Sequence, residues 1–145
     1  MKDLHSGLTV VSAIGAAVLS ADNTPAAIDL QGYHSAEVVL AVGIGGITFS
    51  GTNKVEFKLT HSDDDSTYTD VADADMLGVS SITSGIIKSL TSAHAAADVY
   101  RFGYVGNKRY LKLLADFSGT HGSGTPIAAM VLKGDGFSNP QDNQA

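Results

Sequence analysis

Lys54-Val55-Glu56-Phe57-Lys58-Leu59-Thr60 alternates without a break. Val55, Phe57 and Leu59 fall on one side, and Lys54, Glu56, Lys58 and Thr60 on the other. That period of two places one face of a strand against a core and leaves the other in water, which no helix of the same sequence would do. The following run, His61-Ser62-Asp63-Asp64-Asp65-Ser66, has the composition of a turn. A short β-like piece resumes over residues 67–71, where Tyr68 is placed to pack back across the pair. The stretch predicts a hairpin.

Working outward, residues 99–105 set Val99, Arg101, Gly103 and Val105 against Tyr100, Phe102 and Tyr104. Gly106-Asn107 has the chemistry of a two-residue hairpin turn. The return strand over 109–117 puts Leu111, Leu113, Ala115 and Phe117 on one face and Tyr110, Lys112 and Asp116 on the other. Leu114 breaks that alternation, so partial cover of both faces is expected. Weaker strands are predicted over 36–42, 47–49 and 127–132. The last of these is apolar throughout and the first is so apart from Glu37, the pattern of strands covered on both faces. Glycine-rich connectors occupy 43–46 and 119–124, and 73–77 suits a single helical turn with Asp73 near its start.

The N-terminal stretch reads two ways. Val10, Val11, Ile14, Ala17 and Val18 make a helix-like stripe that Gly15 and the β-branched residues weaken, and an extended arm containing one strand fits the stretch equally well. The last residues, 138–145, are polar and read as a flexible tail. The expected fold is mainly β. It is a single-domain antiparallel β-sandwich or jelly-roll-like barrel over residues 1–137, with an N-terminal arm over about residues 1–25.

Composition agrees with short strands and many turns. Charged residues make up 17% of the 145 residues, and there are 16 glycines. Fifteen acidic and nine basic side chains leave a net charge of -6. That balance argues against a nucleic-acid surface, which needs clustered Lys and Arg to displace counterions from phosphates. There is no cysteine, so disulfides, thiol nucleophiles and Cys-based zinc sites are excluded. The apolar run over 8–21, LTVVSAIGAAVLSA, is shorter than the ~20 residues of a membrane span. Asp3 beside Lys2 also spoils the basic start of a signal peptide, so this run reads as mature structure.

Motifs for chemistry are weak. Asp63, Asp64 and Asp65 supply hard oxygens, but without the glycine and glutamate spacing of a calcium loop, and they read as a solvated turn. His5, His34, His61, His94 and His121 are scattered, and no pair has the i, i+4 spacing of a helical metal site. Gly43-Ile44-Gly45-Gly46 lacks a phosphate-loop lysine, and its downstream residues look β rather than helical. His121-Gly122-Ser123-Gly124 is not a nucleophile elbow. The expectation is a non-enzyme with no catalytic residues, metal or cofactor. The aromatic cluster of Tyr100, Phe102, Tyr104, Tyr110 and Phe117 could serve as a glycan platform, but its place on strands favours core and interface packing.

Three stretches resemble small structural proteins of tailed phages and prophages. They are Ala27-Ile28-Asp29-Leu30-Gln31-Gly32-Tyr33 with Ser35-Ala36-Glu37, and Val55-Glu56-Phe57-Lys58-Leu59-Thr60-His61-Ser62-Asp63-Asp64 with Tyr68 and Val71. The third is Tyr100-Arg101-Phe102-Gly103-Tyr104-Val105-Gly106-Asn107-Lys108-Arg109-Tyr110-Leu111, with Ser118-Gly119-Thr120-His121 and Gly124-Thr125-Pro126-Ile127 downstream. The likeness runs from about Met1 to Gly134 as a pattern rather than a single signature. It implies a head-associated virion protein, made in the bacterial host cytoplasm and bound to the capsid exterior as a decoration (cement) protein. Tail-tube or head–tail joining roles are the alternatives within the virion. The implied partners are the major capsid protein and copies of the chain itself, as a trimer by analogy, with no nucleic acid and no membrane. The contact arm is expected at Leu8, Val10, Val11, Ile14, Val18 and Leu19, because loosely patterned apolar segments mark interaction surfaces; an ordinary core strand or helix of the same domain is the equal alternative.

Overall fold

Alternating side chains need a second apolar layer, and the chain supplies it by building two antiparallel sheets that face each other. The computed structural model describes residues 3–144; Met1 and Lys2 of the N-terminal arm and Ala145 of the tail lie outside the described residues. The strands are β1 (Leu8–Leu19), β2 (Ile28–Asp29), β3 (Tyr33–Val42), β4 (Lys54–Ser62) and β5 (Thr69–Asp70). They continue as β6 (Met76–Leu77), β7 (Ile86–Leu90), β8 (Asp98–Tyr104), β9 (Tyr110–Ser118) and β10 (Thr125–Gly136). Sheet A runs β1-β10-β3-β8-β6. Sheet B runs β2-β9-β4, with β5 and β7 sharing the far side of β4. The sheets do not close into a barrel, so the sandwich is the fold and the jelly-roll-like barrel is not.

The core lies between the sheets and is filled by every second residue. Val55, Phe57 and Leu59 of β4 and Leu111, Leu113 and Ala115 of β9 come from sheet B. Val38 and Leu40 of β3, Phe102 of β8, and Ile127, Ala129 and Val131 of β10 meet them from sheet A. The faces expected for residues 54–60, 99–105 and 109–117 are therefore the ones observed.

Several pairings differ from expectation. β8 and β9 are not a hairpin: β8 pairs β3 and β6 in sheet A, whereas β9 pairs β4 and β2 in sheet B. Gly106 has no positive φ, so it is not the residue of a primed turn. It is there for room: a Cβ on Gly106 would lie 2.6 Å from the Tyr104 hydroxyl. The Tyr104 ring folds under the crossing chain, and the Lys108 amide donates to its hydroxyl at 3.2 Å. Residues 47–49 form no strand, because Phe49 turns inward and is buried as a plug at one end of the sandwich. The piece at 67–71 pairs with β4 at Thr69 and Asp70, opposite His61 and Thr60, and the Val71 amide donates to Leu59 O at 3.2 Å. The helical turn expected at 73–77 is a 3-10 turn over Asp73–Asp75, closed by the Ala72 amide donating to Asp75 Oδ2 at 2.9 Å.

The helix-like reading of the N-terminus gives way to a strand. β1 forms the margin of sheet A, with two register shifts against β10, between Ser12 and Ile14 and between Ile14 and Ala17. The polar tail lies against the opposite edge of this strand. Gln144 Oε1 accepts from the Val10 amide at 2.8 Å while its Nε2 donates to the Val10 carbonyl at 2.9 Å. The Gln141 amide donates to Ser6 O at 2.9 Å.

Candidate functional site

The two outer faces of the sandwich are chemically opposite. On sheet B, β4 and β9 present Lys54, Glu56, Lys58, Lys112 and Asp116 outward, tied as Lys54–Glu56 at 2.8 Å and Lys58–Asp116 at 2.5 Å. The Asp116 carboxylate holds the Lys58 ammonium above its ordinary pKa. This is the surface of a strand layer that meets water.

Sheet A is different. Register across its strands aligns Val18 with Pro126, and Ala128 with Ala41 and Val99. The next rows align Ser12, Met130, Val39 and Arg101, then Val10, Leu132, Glu37 and Gly103. On β3 and β10 these positions alternate with buried core residues, so the rows form the outward face. The charged side chains in these rows are Glu37 and Arg101, which face each other at 3.7 Å. Val10, Val18 and Val99 are exposed, and the row ends at exposed Leu77 on β6. At one end the face dips into a depression of about 700 Å³, lined by Ala16, Val18, Ala41, Val99 and Pro126.

The apolar runs at 38–42 in β3 and 126–132 in β10 are those of strands covered on both faces. Among the described residues they are covered on one. That run is the signal by which Val39, Ala41, Ala128, Met130 and Leu132 were findable in the sequence.

The six expected contact residues are all on β1 but face different ways. Val10 and Val18 are exposed on the outward side. Ile14 is buried in the core, Val11 and Leu19 pack against the core half-buried, and Leu8 is half-buried. The double bulge divides them.

A second cleft of about 570 Å³ lies where β3 begins and β8 crosses to β9, with Tyr33, His34, Lys108, Arg109 and Phe137 among its walls. Its cations are already answered. Arg109 makes a bidentate pair with Asp29 at 2.8 and 2.6 Å, and Lys108 meets Asp63 at 2.7 Å. The guanidinium holds the Asp29 carboxyl below its usual range. Asp64 is a loop cap: its Oδ1 accepts from the amides of Thr67 at 2.8 Å and Ser66 at 2.9 Å and from the Ser62 hydroxyl at 2.8 Å. Those bonds pull its pKa down to about 2.

The histidines stay apart in the fold. His61 Nδ1 meets the Tyr104 hydroxyl at 3.0 Å, and burial lowers the pKa of the imidazole. His121 donates from Nε2 to Ser118 O at 2.8 Å, which fixes its tautomer, and its ring packs edge-on against Phe117 at 4.7 Å. His34 packs tilted against Phe137 with ring centroids 4.4 Å apart, and His94 lies near Phe49. Among the described residues no three His, Asp or Glu side chains converge as metal ligands.

The expected aromatic cluster is not an open platform. Tyr104 is buried. Cations lie over Tyr33 (Lys133, 4.5 Å), Tyr68 (Lys112, 4.0 Å), Tyr100 (Lys88, 4.2 Å) and Tyr110 (Arg109, 4.8 Å). A sugar stacking on any of these four rings competes with that cation. Comparison of the chain with models of protein families, with curated proteins and with solved structures finds no match.

Proposed function

We propose that this chain is a non-enzymatic structural protein of a tailed-phage virion that binds the outside of the capsid as a decoration protein and stabilises the head. The observation that carries the reading is the apolar outer face of sheet A, set back to back with a charged outer face on sheet B. A body of this kind suits a position between a protein shell and solvent: one face loses water against a partner and the other keeps it. The resemblance in three stretches supplies the class of partner, the major capsid protein. Repetition over a lattice lets a modest single contact hold, because multivalent engagement raises avidity without new contacts. The acidic balance of -6 keeps a densely displayed protein from associating unspecifically.

Quantitative mass spectrometry and a cryo-EM map of the parent particle test the reading. Hundreds of copies on the head exterior, with sheet A turned toward the shell, are expected. A handful of copies, or a ring at the neck or tail, overturns the decoration role and favours a tail-tube or head–tail joining position.

A further inference from the structure

We propose that Arg101 is a specificity-determining contact on the outer face of sheet A, taking a carboxylate that the shell protein presents within an apolar patch, an assignment that rests on this face being the one turned toward the capsid. The other lysine and arginine side chains among the described residues are already engaged. Lys54, Lys58, Lys108 and Arg109 donate to carboxylates at 2.5–2.8 Å. Lys88, Lys112 and Lys133 lie over tyrosine rings. Arg101 has neither kind of partner. Its ion-pair contact, Nη1 to Glu37 Oε1, is 3.7 Å long and beyond a hydrogen bond, and its side chain is 83% exposed.

The surroundings make that exception informative. Arg101 stands in the row of Ser12, Met130 and Val39, beside exposed Val99. Glu37 is seated where Gly103 leaves room: a Cβ on Gly103 would lie 3.3 Å from Glu37 Oε2 and 3.2 Å from Leu77 Cβ. Held there and only 32% exposed, the Glu37 carboxylate offsets the charge of the guanidinium without consuming its N–H donors. Arg101 therefore keeps a full set of donors pointed away from its own chain.

Those donors select the chemistry of what covers the face. Any surface that excludes water from the apolar rows also strips it from the guanidinium, and unpaired donors in such a place are costly. The occupant must bring an acceptor, and the planar fork fits a carboxylate or a phosphate with two parallel bonds. A nucleic-acid backbone needs several clustered cations, whereas Arg101 is the one cation in these rows of a chain that carries -6. A protein surface with an acid set among apolar side chains answers both the rows and the arginine. Glu37 also fixes the side of approach, because a carboxylate arriving over it meets a like charge. A second copy of the chain is a poor occupant, since the acid it would offer from this face is the same sunken Glu37.

Co-sedimentation of the full chain with parent-phage heads assembled without it tests this. Arg101→Met keeps length and apolar cover but leaves the shell acid unpaired, and is expected to weaken binding at least about thirtyfold. Thermal unfolding stays unchanged, because the side chain is exposed. Arg101→Lys, a point charge without the fork, falls between the two. Added salt weakens wild type more than Arg101→Met. Glu37→Gln leaves the arginine in place and binds at least as well as wild type. Arg101→Met at wild-type strength, or a loss in Glu37→Gln as large as that in Arg101→Met, overturns the proposal and leaves the decoration reading standing. Self-association of the wild-type chain in sedimentation that Arg101→Met abolishes makes a second copy the occupant and overturns it as well. Heads that bind no wild-type chain reject the decoration reading, and this contact with it.

Discussion

Tyr104 and His61 meet where the chain leaves sheet A for sheet B, and the contact shows what one residue can and cannot announce. The alternation in 99–105 assigns Tyr104 to the inward face with Phe102. Its partner lies 43 positions away on another sheet, so no local pattern names it. The consequence is a pH dependence. Burial lowers the folded-state pKa of His61 below its ordinary 6.5, against a smaller opposing pull from Asp75. As pH falls below 6.5 the unfolded chain accepts a proton that the folded chain refuses. The stability tied to this site is therefore whole above 6.5 and declines as pH drops toward the folded value. His61→Gln keeps a hydrogen-bond partner for Tyr104 and does not titrate. Urea unfolding over a pH series should give a shallower acid slope for this variant than for wild type, from a baseline lower by about 1 kcal/mol. Parallel curves would remove His61 as the cause.

At the scale of elements, β1 is the instructive strand. Two bulges insert extra residues opposite β10, so inward positions recur at irregular spacing and Ala13 and Ile14 are buried side by side. A strand with that spacing imitates a helical stripe, which is why the stretch read two ways. The same scale explains the missed pairing of β8 with β9. Two well-patterned strands joined by Gly-Asn look like a hairpin, but Gly106 serves the Tyr104 ring rather than a turn. The tail is the other lesson: Gln144 acts as one residue of an absent strand by giving Val10 both a donor and an acceptor. Gln144→Ala is expected to speed hydrogen exchange at the Val10 amide and to cost about 1 kcal/mol of stability. Unchanged exchange at Val10 in NMR would show that the tail does not hold this edge.

For the whole molecule, the division between faces is the property with most consequence. On the proposed decoration role, removing apolar character from the outer face of sheet A should touch binding to the particle and spare the fold. Met130→Lys lies on that face in the row with Ser12, Val39 and Arg101. Its effect on unfolding is expected to stay within about 0.5 kcal/mol, as for surface substitutions generally. Co-sedimentation with undecorated particles should fall strongly. A variant that still pellets with particles like wild type would place the contact elsewhere, with sheet B as the next surface to alter.

By itself the sequence determined that this is a β protein, which residues of β4, β8 and β9 point inward, and that β3 and β10 are written for cover on two sides. Those properties are local: period two and runs of apolar residues act through each strand's own geometry. Only the tertiary structure decided which strand pairs with which, and that the second side of β3 and β10 lies bare within a single chain. Pairing is a choice among strands of similar pattern, settled by contacts far apart in sequence such as Tyr104 with His61 and Gln144 with Val10. A face can be known to want cover from its residues alone, but whether its own chain covers it depends on how every other segment has been placed.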